Sequence, residues 1–253
     1  MEPSLIALLE EARAERLADE LKEKWRSRHK SVCKLIDKRL NALSLDTARP
    51  PATHVAMQAP VQALLLDTPI DEEITDDMLD RPLEDLPAII KLWLVTAKTE
   101  LVGLLQNSDH YKNDATLADL ELATVAFMCK ACYFDRVLFY PEVLYHQCCT
   151  SNRSHWIDRL IPEKADTTHG FVELMGHGFW SAKCLRVRWT GEAKLIVKAC
   201  GLDPEVTTAK DMHRLDPLLE HCVLEDLAED NVSRRRSVFT WRHAMKVTFR
   251  SSP

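Results

Sequence analysis

Residues 127–149, FMCKACYFDRVLFYPEVLYHQCC, carry a Cys-x2-Cys pair near their start and a His-x-Cys-Cys group at their end. A Cys-x2-Cys turn brings two thiolates to one ion, and a gap of about 12–15 residues to a histidine is typical of zinc fingers. Thiolate and imidazole donors together suit tetrahedral Zn²⁺. The stretch therefore predicts a structural zinc site held by Cys129, Cys132, His146 and one further cysteine.

The residues between the cysteine pair and His146 predict a β-hairpin followed by a helix. The segment from Val137 to Phe139 is apolar enough for a second strand, and Pro141 suits the first position of a helix. A helical turn from Glu142 would present His146 back toward the cysteine pair. The small apolar core beneath the ion would consist of Phe127, Leu138 and Leu144.

The residues alone leave Cys148 and Cys149 open as the fourth ligand. On a continuous helix, residues three apart share a face and residues two apart do not, which favours Cys149. If the helix ends at His146, Cys148 can reach the ion instead. Two other interpretations of the cysteines are buried free thiols, because Cys is among the most buried residue types, and a redox Cys-x2-Cys motif.

Composition argues against the common enzyme classes. The chain has 6 glycines in 253 residues, well below the average of about 7%. It contains no Gly-rich phosphate loop, no G-x-S-x-G and no H-E-x-x-H motif. The sequence therefore lacks the motifs typical of nucleotide-binding proteins, α/β-hydrolases and zincin metalloproteases. No nucleophile–base pair stands out. We therefore expect a protein that is not an enzyme.

Charge and hydropathy limit the partners and the compartment. The net charge is −6, and residues 67–85 hold nine acidic residues against Arg81 alone. No domain-sized basic surface exists, which weakens sequence-independent nucleic-acid binding. No apolar run reaches the roughly 18 residues of a membrane span, and the polar N-terminus is not a secretory signal. We expect a reduced, cytoplasmic or nuclear protein with no membrane partner.

Periodicity predicts an α+β protein with a helical N-terminal half. Residues 4–43 read as one long helix, residues 44–61 as a proline-containing linker, and residues 86–106 as an amphipathic helix. Residues 1–113 would form this helical region. Residues 114–253 would form a small mixed α/β domain, rich in Cys and His, that contains the β-hairpin–helix, zinc-finger-like module.

Other groups of polar residues carry weaker signals. His213, His221 and Cys222, with His243 further along, do not have the spacing of a known metal site, and we take them as ordinary helix residues. Gly176-His177-Gly178 reads as a turn, and the three arginines from Arg234 to Arg236 as an exposed loop. The remaining thiols at Cys33, Cys184 and Cys200 read as buried.

Two blocks of the sequence resemble a large family of F-box-type proteins of basidiomycete fungi. The first block comprises Leu122-Ala123-Thr124, Phe127-x-Cys129-x2-Cys132 and Leu138-x-Tyr140-Pro141-x2-Leu144-x-His146-x-Cys148. The second runs from Ala199-Cys200-Gly201-Leu202-Asp203-Pro204 to Thr240-Trp241-Arg242. The resemblance is close in these blocks and loose before residue 115.

The resemblance implies a function and a ligand choice. Members of this family pair an F-box, which docks on the adaptor of cullin–RING ubiquitin ligases, with a C-terminal region that binds a target protein. This chain shows no F-box, so the adaptor is an expected partner only if an F-box lies upstream. The resemblance also favours Cys148 over Cys149 as the fourth ligand. We expect a protein–protein recognition protein with structural zinc. The alternative is a zinc-finger-type nucleic-acid-binding protein, although residues 141–146 carry no Arg or Lys to reach bases.

Overall fold

The computed structural model describes residues 5–43, 48–132, 137–150, 179–188, 190–227 and 231–247. All strand pairs are antiparallel, and the first four α-helices precede every strand, which confirms the predicted α+β class and the long N-terminal helix. The α-helices are α1 (Leu5–Ala42), α2 (Ala52–Ala56), α3 (Ala59–Asp67), α4 (Leu86–Gln106), α5 (Thr190–Ala199), α6 (Ala209–Leu215) and α7 (Trp241–Val247). The strands are β1 (Phe127–Cys129), β2 (Val137–Leu138), β3 (Leu185–Val187), β4 (Leu218–Leu227) and β5 (Asn231–Thr240).

The chain divides into two compact units. The first unit contains Met1–Leu94 and Thr150–Trp180, and the second contains Val95–Cys149 and Ser181–Pro253. The division falls inside α4. The predicted boundary between residues 113 and 114 stays a prediction, because a compact unit need not be a unit that folds by itself. None of the described helices is both long enough and apolar enough to cross a membrane.

The first unit is built on the C-terminal half of α1. Val32, Ile36 and Leu40 on this half are buried and pack with α2, α3 and the start of α4 in one core. The N-terminal half of α1 is exposed up to Lys24. A helix of this length cannot be covered along its whole face by so small a unit, so about half of its apolar stripe is left without a buried contact in the described chain.

The predicted linker at residues 44–61 is partly helical, so this prediction was wrong for its second half. Prolines were the reason for expecting a loop. In the structure, Pro51 occupies the N-cap of α2, and Pro60 lies at the start of α3. A helix tolerates proline in its first turn, because the amide hydrogen that proline lacks has no helical acceptor there.

The acidic segment at 67–85 packs along α1 through ion pairs. Lys24 Nζ lies 2.6 Å from Asp71, and Arg39 donates to Asp76 and Asp80 at 2.7 Å each. Arg28 is buried and donates to the carbonyl oxygens of residues 65, 68 and 72. The exposed ion pairs contribute little to stability, because water and salt screen the charges. Their main effect is to align the segment with the basic part of α1.

His54 on α2 is held in its neutral form. Its Nδ1 accepts a hydrogen bond from the backbone N–H of Trp180 at 3.1 Å. The ring packs edge-on against Phe179 and Trp93, with centroids 5.2 Å and 6.3 Å away. Burial lowers the pKa of His54 from 6.5 to about 4, because the imidazolium ion would lose its hydration in this aromatic contact.

We expect the first unit to lose stability in mild acid through His54. Between pH 6.5 and about 4, His54 takes up a proton in the unfolded chain but stays neutral in the folded chain. The free energy of unfolding therefore decreases as the pH falls through this range. The full decrease in the free energy of unfolding is roughly 3 kcal/mol, because each unit of pKa difference between the folded and unfolded chains corresponds to about 1.36 kcal/mol. Urea unfolding at pH 7 and pH 4.5 measures it. His54→Asn keeps an acceptor near the Nδ1 position and does not titrate, so it should flatten this part of the profile. Equal acid sensitivity in both proteins would contradict the assignment.

The second unit contains a three-stranded antiparallel sheet in the order β2-β1-β3. Phe127 pairs with Leu138 on one side and with Val187 on the other. The sheet packs with α5, α6 and α7 around a core that includes Phe139, Met212 and Trp241. Helix α5 ends before Gly201, which has the left-handed φ of +74° that glycine tolerates, and Thr208 and Asp211 form a capping box at the start of α6.

A separate two-stranded ribbon joins β4 to β5. Leu218 pairs with Thr240 and Leu227 with Asn231, in a regular antiparallel register. The sequence could not distinguish strand from helix after Ser237. The structure has both, because β5 continues to Thr240 and α7 follows at once. The three arginines at 234–236 therefore lie in a strand, and the prediction of a loop there was wrong.

Candidate metal centre

Cys129 and Cys132 are positioned by the end of β1. Cys129 is the last residue of the strand, and Cys132 lies in the turn that follows it. The backbone N–H of Ala131 donates to Cys129 Sγ at 3.3 Å, an amide–sulfur contact that would stabilise a thiolate. The predicted β-hairpin is present as the β1–β2 pair. Residues 133–136 between the two strands lie outside the described residues.

His146 is positioned by a single 3₁₀ turn, Glu142–Tyr145, instead of an α-helix. Phe139 lies just after β2, and its carbonyl oxygen accepts a hydrogen bond from Val143 N–H at 2.8 Å. This bond fastens the turn to the sheet. The predicted helical turn between Pro141 and His146 is thus present in its shortest form, and it returns His146 to the cysteine pair.

The structure brings together the four side chains that were predicted as ligands. The donor atoms of Cys129, Cys132, His146 and Cys148 all lie within 4.8 Å of one another. Cys132 Sγ is 3.4 Å from His146 Nε2 and 3.4 Å from Cys148 Sγ. Cys129 is buried, and the other three residues are half-buried. No other group of this kind occurs among the described residues.

Cys148 belongs to this group and Cys149 does not. The helical argument for Cys149 assumes that the helix continues past His146, and it does not. His146 has φ −70° and ψ 119°, which is extended backbone. A new 3₁₀ turn, Gln147–Cys149, starts after it. The break turns Cys148 toward Cys132 and Cys149 away, as the resemblance had favoured.

Burial governs the protonation of the three thiols in the group. It raises the pKa of Cys129 to about 11, and it also raises the pKa values of Cys132 and Cys148. A thiolate loses hydration when it is buried, so three thiolates together are unfavourable without a cation. A bound metal ion supplies that positive charge and displaces the protons.

The donor set fits zinc. Three sulfur donors and one imidazole nitrogen form the Cys₃His set of structural zinc sites, and four protein ligands complete a tetrahedron. Hard cations such as Mg²⁺ and Ca²⁺ prefer oxygen ligands. The group can therefore hold one metal ion of the zinc type between β1 and the turn at 147–149.

Cys149 and Cys184 form a second pair of thiols that sequence reasoning missed. Their Sγ atoms are 3.5 Å apart, and both residues are buried. The hydrogen bond between them lowers the pKa of Cys184 to about 7 and raises that of Cys149. The residues are 35 positions apart, and they are brought together by the pairing of β1 with β3 and by the hydrogen bond from Ser181 N–H to the Cys149 carbonyl oxygen. The alternating pattern that starts at Leu185 is the one sequence signal that could have suggested it.

The weaker candidate groups do not assemble into sites among the described residues. His213 lies against Trp241, with ring centroids 5.0 Å apart, and is hydrogen-bonded to Arg242. His221 and Cys222 lie on β4, where the backbone alone is described, so the prediction of helix residues was wrong for these two, and His243 lies on α7. Gly176, His177 and Gly178 lie outside the described residues.

The fold and the donor set define an α+β protein with a candidate Cys₃His metal centre. No family model, curated protein or solved structure matches the chain. The resemblance to fungal F-box-type proteins therefore stays a prediction.

Proposed function

We propose that this chain is a non-enzymatic protein–protein recognition protein whose second unit is stabilised by one structural zinc ion. The observation that carries the proposal is the convergence of Cys129, Cys132, His146 and Cys148 within 4.8 Å. Four protein donors leave no open position for water or substrate, which is the arrangement of structural sites. The zinc would hold the unit together and take no part in a reaction.

The sheet that carries the ligands is small, and this favours a structural role for the ion. Strands β1, β2 and β3 contain three, two and three residues. Strands in globular proteins usually have about 5–6 residues. A bound ion joins the end of β1 to the turns at 142–145 and 147–149, and so supplies a link that short strands cannot.

The N-terminal half of α1 is the surface that we assign to recognition. Ile6, Leu9 and Leu17 are 69%, 62% and 53% exposed. The segment from Leu5 to Lys24 holds six acidic and four basic residues. An exposed apolar stripe between charged residues of both signs suits a partner protein that presents an amphipathic helix. The sequence resemblance is loose in this segment, so it favours a target-binding role for the protein as a whole and not for this helix in particular.

We expect a double substitution in α1, Leu17→Glu with Leu21→Glu, to abolish binding of the partner. The chain would be used as bait in cell extract, and the bound proteins quantified by mass spectrometry. Leu92→Glu is the control, because Leu92 is 68% exposed on α4 of the same unit. Partners that bind the wild type and the control, but not the double variant, support the proposal. Identical sets of bound proteins would contradict it, and light scattering that shows a dimer would assign this surface to a second copy.

Nucleic-acid binding is the rival function, and the same protein tests it. The turn at 142–145 has no basic residue, and zinc-finger recognition places basic or amide side chains against base edges. A salt-dependent mobility shift with generic duplex DNA or single-stranded RNA would favour the rival.

A further inference from the structure

The thiol pair Cys149–Cys184 lies beside the candidate zinc site but outside its ligand group. The two Sγ atoms are 3.5 Å apart. Cys149 follows Cys148 directly, and the backbone of Cys184 is hydrogen-bonded to Lys130, the residue after Cys129. Neither belongs to the group of donor atoms that lie within 4.8 Å of one another. The cluster therefore contains five thiols, of which three would bind the ion and two would remain free.

The positions of the two free sulfurs are set by the backbone around them. Cys149 lies in the 3₁₀ turn 147–149, and its carbonyl oxygen accepts a hydrogen bond from Ser181 N–H at 2.8 Å. Cys184 lies in the 3₁₀ turn 182–184, and its carbonyl oxygen accepts from Lys130 N–H at 2.7 Å. Glu100 on α4 accepts from Ala182 N–H at 2.7 Å. These bonds hold the two turns side by side, so the sulfur contact is a fixed feature of the fold.

We propose that Cys149 and Cys184 are a disulfide modification site that hydrogen peroxide oxidises while the zinc ligands stay reduced. The selectivity rests on the proposed zinc site, because a bound ion occupies the sulfurs of Cys129, Cys132 and Cys148. Closing a disulfide requires the free pair to approach from 3.5 Å to about 2.05 Å.

The oxidation proceeds in two balanced steps. One thiol of the pair attacks the peroxide, the O–O bond breaks, and a sulfenic acid and one water molecule form. The second thiol then attacks the sulfenic sulfur, the S–S bond forms, and a second water leaves. Both residues are more than nine-tenths buried. Hydrogen peroxide is close to water in size, so it is the oxidant whose entry requires the least opening.

The disulfide would join the turn at 147–149, which carries Cys148, to the turn at 182–184, which leads into β3. Since the cross-link would restrain the turn that carries a zinc ligand, it should slow the release of zinc to a chelator. A thiol reductant would restore the starting form.

The test treats the purified full chain with hydrogen peroxide, first as isolated and then after chelation. Thiols are counted under denaturing, chelating conditions, zinc is measured in parallel, and cross-linked peptides are mapped. For the zinc-loaded chain we expect the count to fall from eight to six, with a Cys149–Cys184 peptide and zinc retained. After chelation we expect a Cys132–Cys148 peptide as well, because those sulfurs are 3.4 Å apart.

Single substitutions sharpen the result. Cys149→Ser and Cys184→Ser should each prevent the loss of two thiols, and Cys200→Ser, a half-buried thiol outside the cluster, should leave it unchanged. If a variant fails to fold, the peptide map of the wild-type protein still shows whether Cys149 and Cys184 form the disulfide. Absence of the Cys149–Cys184 peptide, or its appearance only after zinc is released, overturns the inference. If the isolated protein contains no zinc, the proposed function fails, and the peptide map still reports on the disulfide itself.

Discussion

Cys148→Ser is expected to release the zinc ion and unfold the second unit, whereas Cys149→Ser is expected to keep both the ion and the fold. The sulfur of Cys148 lies 3.4 Å from that of Cys132 in the ligand group. Cys149 belongs to the neighbouring thiol pair. The two residues are adjacent and chemically identical, so only the direction of each side chain distinguishes the variants.

The expected effect is large because metal binding and folding are coupled. Apparent binding free energies of structural zinc are about 10–16 kcal/mol in small zinc domains, which exceeds or equals the whole stability of most domains. Metal analysis should find close to one zinc per chain in the wild type and in Cys149→Ser, and far less in Cys148→Ser. Circular dichroism on heating should show a lower transition temperature for Cys148→Ser alone.

Two results would contradict this assignment. If Cys149→Ser loses the ion and Cys148→Ser keeps it, the helical argument from sequence was right and the ligand group is misassigned. If purified wild type holds no zinc and is insensitive to chelators, the four residues are buried thiols and an ordinary histidine. Substitution with Co²⁺ adds a spectroscopic check, because a tetrahedral site with three thiolates gives characteristic visible and near-ultraviolet bands.

Trp241→Ala is expected to destabilise the second unit by about 3–5 kcal/mol, the usual range for removing a buried aromatic side chain. Trp241 is 1% exposed at the start of α7. Its ring lies 4.8 Å from that of Phe139 and 5.0 Å from that of His213. Its removal would leave a cavity where α6, α7 and the end of β2 meet.

The position of Phe139 connects this cavity to the metal centre. Its carbonyl oxygen holds the turn that ends at His146. We therefore expect Trp241→Ala to weaken zinc retention as well as stability. Urea unfolding monitored by circular dichroism gives the free energy, and competition with a chromogenic chelator gives the affinity. Trp241→Phe should retain much of the stability, and Leu195→Ala, at a residue 68% exposed on α5, should change it by less than about 0.5 kcal/mol. Equal effects for Trp241→Ala and Leu195→Ala would contradict the assignment of Trp241 to the core.

Local patterns predicted those elements that local forces determine. Helix α4 begins and ends close to its predicted limits, because its apolar residues repeat at the helical period. Thr208 at the N-cap of α6 and the left-handed Gly201 after α5 agree with the known preferences of these residue types for helix ends. The linker at 44–61 was mispredicted because a proline signals either a loop or the first turn of a helix. Burial of Val55 and Val61 in the core of the first unit selected the helix.

The sequence by itself determined the chemistry of the candidate site. Cysteine and histidine at positions 129, 132, 146 and 148 or 149 define a soft donor set, whatever the fold around them. Only the tertiary structure decided which of the adjacent cysteines joins that set, and that Cys149 instead meets Cys184. The physical reason is that the extended backbone at His146 and the pairing of β1 with β3 are selected by burial and hydrogen bonds from distant parts of the chain. The spacing of the cysteines and the histidine along the sequence does not indicate those contacts.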